Sequence, residues 1–86
     1  MATVYDRVKA IVTDKLDVDE DSVVSGATFV DDLNADSLDL AELIMAFEEE
    51  FSSDDNKIEI SDEEAGAIIS IQDTIDYLKG HGIKDE

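Results

Sequence analysis

The chain has 86 residues, with 24 acidic and 6 basic side chains, a net charge of −18, no cysteine and a single histidine. The acidic excess excludes a basic nucleic-acid footprint and attachment to anionic membranes, and it favours partners with basic patches whose association is steered and salt-sensitive. The missing cysteines exclude a disulfide framework, a thiolate nucleophile and a zinc–thiolate site, while a hydrophobic content of 43% is too high for a disordered acidic tail. One domain over residues 1–86 is expected, with a small core and marginal stability. No apolar run is long enough to span a bilayer and the N-terminus has no signal-peptide pattern, so a cytoplasmic monomer without stable membrane insertion is expected. His81 lies between Gly80 and Gly82 and reads as part of a mobile tail, which makes a His-based triad an unpromising reading. These features suit a carrier or binding module better than an enzyme.

In chain order, Val4, Val8, Ile11, Val12 and Leu16 recur at helical spacing over 3–16, and Thr3 with Asp6 resembles a capping pair. Arg7, Lys9 and Lys15 place half of the basic side chains on this helix, where surface ion pairs worth little each are expected. Residues 17–36 form a long connection without sustained periodicity. Val18, Val23, Phe29, Val30 and Leu33 are its apolar anchors, which should pin it across a bundle, and Gly26 is its free backbone hinge. The carboxylates of Asp17, Asp19 and Asp21 mimic the start of a calcium-binding loop. Ser22 stands where that loop needs Gly and Thr28 where it needs a closing Glu, so a specific calcium site is not expected and loose divalent binding to the acidic surface is the better reading.

Residues 36–51 read as one long amphipathic helix, with Asp36 or Ser37 as N-cap. Leu40, Leu43, Ile44, Phe47 and Phe51 share one face. Leu38, Ala41 and Met45 form a second, narrower strip well round the helix, flanked by Glu48, while Asp39, Glu42, Glu49 and Glu50 fill the polar surface. Two strips need two explanations: one core, the other more core or a docking surface. On spacing alone Ser37 is only a cap. The first turn of a helix also stabilises an anion, so a phosphate ester on Ser37 is electrostatically tolerable.

A polar loop follows at 52–57, then Ile58-Glu59-Ile60 as an extended connector with buried isoleucines. Ser61 and Glu64 form a capping box that opens a short helix. Its body, Ala65-Gly66-Ala67-Ile68, is weak, since Gly66 alone costs about 1 kcal/mol against Ala, and this is the element expected to move. Ser70-Ile71-Gln72-Asp73 opens the last helix, which runs to about Lys79 with Ile71, Ile75 and Leu78 on its apolar face and Tyr77 beside it. Gly80 is its expected stop, and the tail from 80 to 86 is expected to fray. The fold class implied is all-α: a four-helix bundle with three longer helices, one short mobile third helix and a long first crossover loop.

The stretch Asp-Leu-Asn-Ala-Asp-Ser-Leu-Asp around Ser37, followed by Glu-Leu-Ile-Met-Ala-Phe-Glu-Glu-Glu-Phe, resembles the attachment site of the acyl carrier proteins. The likeness extends over nearly the whole chain. The first helix and the Ile-Asp-Tyr of the last are similar, as is the stretch before the third, where the family has Ile-Pro-Asp-Glu-Glu-Ala and this chain has Ser61 in place of Pro. The chain departs from the family with Asp17 and Asn34 at positions usually held by Gly, and with a longer 52–57 loop. The resemblance implies that Ser37 carries 4′-phosphopantetheine, installed from coenzyme A by a phosphopantetheinyl transferase, and that the arm's thiol holds acyl chains as thioesters. It implies that the bundle opens to sheath the chain, and that Asp36, Asp39, Glu42 and Glu48, with Leu38, Ala41 and Met45, meet acyl-processing enzymes bearing basic patches. Fatty-acid biosynthesis is the pathway it favours. A specialised carrier for polyketide, lipid A or other acyl chemistry, or an acidic interaction module without a prosthetic group, are the alternatives.

Overall fold

The structure, a computed structural model, describes residues 3–85. Four α-helices follow one another: α1 (Val4–Leu16), α2 (Ser37–Phe51), α3 (Asp62–Ala67) and α4 (Ile71–Gly80), with a single 3₁₀ turn at Glu20–Ser22 and no strand among the described residues. Each helix opens in the same way. The side chains of Thr3, Asp36, Ser61 and Ser70 accept from the backbone N–H three residues on, and Asp6, Asp39, Glu64 and Asp73 reach back to the N-cap N–H. Two of the four orphan donors at every helix start are thus satisfied locally.

The core forms where the helical stripes meet. Val4, Val8 and Val12 of α1, Leu43, Phe47 and Phe51 of α2, and Ile71, Ile75 and Leu78 of α4 are buried together, and α1 packs on both α2 and α4. Thr74 is buried among them with its hydroxyl donating to the Ser70 carbonyl at 3.1 Å. On the rim, the Arg7 guanidinium lies 4.4 Å from the centre of the Phe51 ring and 2.9 Å from the Glu50 carboxylate, so it covers the end of the core while keeping its charge paired.

The long crossover is held because its carbonyls cap α4. Ile71 and Gln72 N–H, two orphan donors of the first turn, donate to the Ala27 and Ser25 carbonyls at 3.0 and 2.9 Å, and Phe29 N–H donates to the Ile69 carbonyl at 3.0 Å. The Tyr5 hydroxyl donates to the Val23 carbonyl and ties the same segment to α1. Val23, Phe29 and Leu33 are buried as expected and Val18 packs on the core, but Val30 is 55% exposed. The inward positions that periodicity missed are Ala27 and Ala35. Left-handed backbone falls at Asp17 (φ 54°) and Asn34 (φ 60°), not at Gly26, so the turns need two residue types that tolerate it better than most.

The C-terminal end departs from expectation. Gly80 stays within α4; the left-handed residue is Gly82 (φ 91°), whose N–H donates to the Lys79 carbonyl while Ile83 N–H reaches back to Leu78 at 3.0 Å, a Schellman cap with Ile83 packed on the core. Where the sequence pointed to a frayed tail, residues 81–85 make specific contacts. His81 stacks on Tyr77 with ring centres 4.1 Å apart, and its carbonyl accepts from Asn56 Nδ2 at 2.8 Å. Asp85 accepts from Val4 N–H at 2.8 Å and pairs with Lys79 at 3.4 Å. The Val4 N–H holds the Asp85 carboxyl below the usual range. Glu86 lies outside the described residues.

Candidate functional site

The start of α2 is fixed from behind. Leu33 and Ala35, either side of the left-handed Asn34, are both buried, and Ala35 N–H donates to the Phe29 carbonyl at 2.8 Å. Thr28 and Asp32 brace the same loop, with Thr28 N–H donating to Asp32 Oδ2 at 2.8 Å. The chain therefore enters α2 at Asp36, which is the N-cap: Asp36 Oδ1 accepts from Asp39 N–H at 2.9 Å and Asp39 Oδ2 accepts from Asp36 N–H at 3.2 Å. Ser37 is thus relieved of capping. It is the first residue of a 15-residue helix, and it is exposed.

A cavity of about 470 Å³ opens beside it between α2 and α3. Ser37 stands in its lining, followed along α2 by Leu40, Ile44 and Phe47; Ile60, Ala65, Gly66 and Ile68 supply the opposite wall and Phe29 the floor. Leu40 and Ile44 pack against the core as expected, but at half burial, and they also line this space; Leu43 and Phe47 are fully in the core and reach the cavity from there, and Phe51 is buried away from it. Helical position explains the split, since the broad apolar stripe of α2 is wider than its contact with α1.

The second strip remains open. Leu38 is 68% and Met45 60% exposed, Ala41 is exposed too, and Ala41 and Met45 border the cavity. Asp36 and Glu42 are exposed and Asp39 is half-buried. Glu48 differs from these acids. Half-buried like Asp39, it bonds beyond its own helix: its Oε2 accepts from Ile60 N–H, twelve residues on, at 2.9 Å. Of the two isoleucines expected to be buried, Ile58 is in the core, whereas Ile60 is half-buried, packs on the core and lines the cavity; Glu59 between them is exposed, as alternation requires. Ile60, Ile68 and Phe29 were readable as apolar but carried no signal that they line one cavity with Ser37.

Behind α3, Tyr77 donates to the Glu59 carbonyl at 3.2 Å. Burial pushes its hydroxyl up to about 12, with the Glu64 carboxylate and then the Glu48 charge adding to the shift. Glu64 moves the other way: the Ser61 N–H, then the Ser61 hydroxyl, hold its carboxyl below the ordinary value. Among the described residues no cluster of His, Cys, Asp or Glu could hold a metal ion, and no helix is long and apolar enough to cross a membrane. The site thus offers one exposed hydroxyl, an apolar cavity and acidic surroundings, which is equipment for attachment and sheltering.

A family profile described as "Phosphopantetheine attachment site" matches residues 6–78. The chain is also similar to a solved acyl carrier protein from Enterococcus faecalis, with 33% sequence identity and a TM-score of 0.73 over 91% of this chain and 92% of that one. With the four-helix bundle in place and the match running through every helix, the chain belongs to the acyl carrier protein family, whose domain is a carrier of phosphopantetheine.

Proposed function

We propose that Ser37 is the attachment residue and that this chain carries acyl groups for fatty-acid biosynthesis in the cytoplasm, after modification by a phosphopantetheinyl transferase. The observation that supports this best is the position of the Ser37 hydroxyl: exposed at the first position of α2, released from capping by Asp36, and at the mouth of an apolar cavity. The residues fit the prosthetic group. Ser37 offers the oxygen for a phosphodiester, and the first turn of α2 favours the anion. When bound, the group supplies the thiol that this cysteine-free chain lacks. Leu40, Ile44, Phe47, Ile60 and Ile68 then exclude water from an acyl chain, at a gain of roughly 0.8 kcal/mol for each methylene buried. Asp36, Asp39 and Glu42 present carboxylates to cationic patches of acyl-processing enzymes, while Leu38 and Met45 add apolar contact.

Coexpression with a transferase followed by intact mass measurement tests the assignment. Wild type gains the mass of one phosphopantetheine and Ser37→Ala gains nothing while keeping its helical spectrum. A modified Ser37→Ala product would refute it, and an unmodified wild type would favour the acidic interaction module. The mass of the chain isolated from its own cell distinguishes fatty-acid intermediates from other acyl groups.

A further inference from the structure

α3 spans six residues, none of them buried, too short a segment to persist as an isolated helix in water. Its place over the cavity is set at its two ends. At the C-terminal end Ile68 is buried and the Ile69 carbonyl accepts from Phe29 N–H. At the N-terminal end the connector 58–60 hangs between α2 and α4. Ile58 N–H donates to Ser52 Oγ at 2.9 Å, Ile60 N–H donates to Glu48 Oε2 at 2.9 Å, and the Glu59 carbonyl accepts from Tyr77.

The Ile60 bond lies next to Ser61, the cap of α3, and both of its partners line the cavity. Glu48 stands on the firm wall and grips the loose one. A carboxylate that accepts from a backbone N–H makes a hydrogen bond of the stronger class. The groove on its far side is lined by Glu49, Asp54 and Glu59 with Lys57 as the one basic residue, so the Ile60 N–H is a favourable partner in a crowd of like charges.

The geometry points to Glu48 as a positioning residue of the cavity: by accepting from Ile60 N–H it holds the connector and the start of α3 against α2, and so sets how tightly a bound acyl chain is kept from water. This rests on the reading of the cavity as the acyl-chain site. It also gives Glu48 a duty inside the molecule, besides any contact it makes with a partner.

Amide hydrogen exchange on the unmodified full chain tests the grip. Glu48→Ala speeds exchange at Ile60 and along 61–67 by about tenfold, equivalent to about 1.4 kcal/mol, and leaves the α1 amides at their wild-type rates. Glu48→Gln restores much of the protection, because its amide oxygen still accepts. Purified proteins carrying an octanoyl or an acetyl group on the Ser37 arm are then cleaved with hydroxylamine. The octanoyl thioester is protected relative to acetyl in wild type, is cleaved several-fold faster in Glu48→Ala, and lies between in Glu48→Gln. Unchanged exchange at Ile60, or acceleration spread equally over α1, overturns the role of Glu48 and leaves the cavity reading standing. Equal cleavage of octanoyl and acetyl thioesters in wild type shows that the cavity does not shelter the chain, and the proposal falls with that reading.

Discussion

α2 and α3 face each other across one cavity, and the two walls are built on different terms. α2 is 15 residues long, buries Leu43, Phe47 and Phe51, and starts from an anchored turn between buried Leu33 and Ala35. α3 is six residues long with no buried side chain, and it is placed by what precedes and follows it. One wall draws its stability from the core; the other borrows it from a few hydrogen bonds at its ends. A cavity with one firm and one compliant wall can keep Ser37 in a fixed position while the space beside it adjusts to chains of different length.

The sharpest way to break that contrast is to weaken the firm wall. Phe47 is fully buried and also reaches the cavity. Phe47→Ala should cost about 3–5 kcal/mol, against a total of about 4–13 kcal/mol expected for a chain of this length. Urea denaturation should show a transition moved to much lower midpoint or lost outright. A midpoint close to wild type would mean that α2 is no more firmly seated than α3.

Caps provide a smaller and more selective probe, because both walls open with the same device. Asp36→Ala should lower global stability by about 1 kcal/mol, and Asp36→Asn should leave it nearly unchanged, since Asn caps as well as Asp. Ser61→Ala removes the equivalent cap of α3. Its effect should appear as faster amide exchange within 62–67 while the urea midpoint hardly moves, as befits a segment that opens without the rest of the fold. Equal shifts in midpoint for the two caps would show that α3 unfolds only with the whole molecule.

The bond from Tyr77 of α4 to the connector between the walls should respond to pH. An unfolded tyrosine titrates near about 10, and Tyr77 is pushed up to about 12, first by burial and then by the Glu64 and Glu48 charges. The folded chain holds that proton more tightly, so the contribution of Tyr77 is complete below about pH 10 and is lost as pH rises from there through about 12. Tyr77→Phe gives up the bond to the Glu59 carbonyl, worth about 0.5–1.5 kcal/mol, and should flatten the alkaline decline. Thermal melts across about pH 8 to 12 compare the slopes. Identical slopes would show that the phenol is not held as the structure has it.

The sequence made the helices and their starts legible for physical reasons. Thr3, Ser61 and Ser70 are polar residues placed just before a 3.6-residue apolar repeat, and a cap signals through short-range bonds that require no knowledge of the fold. The left-handed turns at Asp17 and Asn34 were not: the resemblance marked both positions as departures from Gly, and Gly26 was the expected hinge, yet Asp and Asn tolerate that backbone well enough to keep the turns. Nor was Val30, since a loop without a period gives no rule for which apolar residue turns inward. Gly80 was the expected stop, but the left-handed residue is Gly82, because Ile83 packs on the core beyond it, a contact that the local sequence does not reveal. The inward use of Glu48 was hidden because its partner is a backbone N–H twelve residues away. Spacing made Ser37 a cap; only the longer motif around it suggested chemistry, and Asp36 turned out to do the capping.

Gly66 offers the finest test of the compliant wall. It sits in α3 and lines the cavity, yet a Cβ built there meets nothing within 4 Å, and its backbone is not left-handed. No steric demand accounts for glycine at this position. Gly66→Ala should therefore stabilise α3 by up to about 1 kcal/mol, through the chain entropy that glycine otherwise loses. Exchange within 62–67 should slow while the urea midpoint stays close to wild type, because a local opening is suppressed and the core is untouched. If exchange does not slow, helix propensity is not what leaves α3 loose, and how far it opens is set by the bonds at its ends, with that of Glu48 to Ile60 N–H foremost.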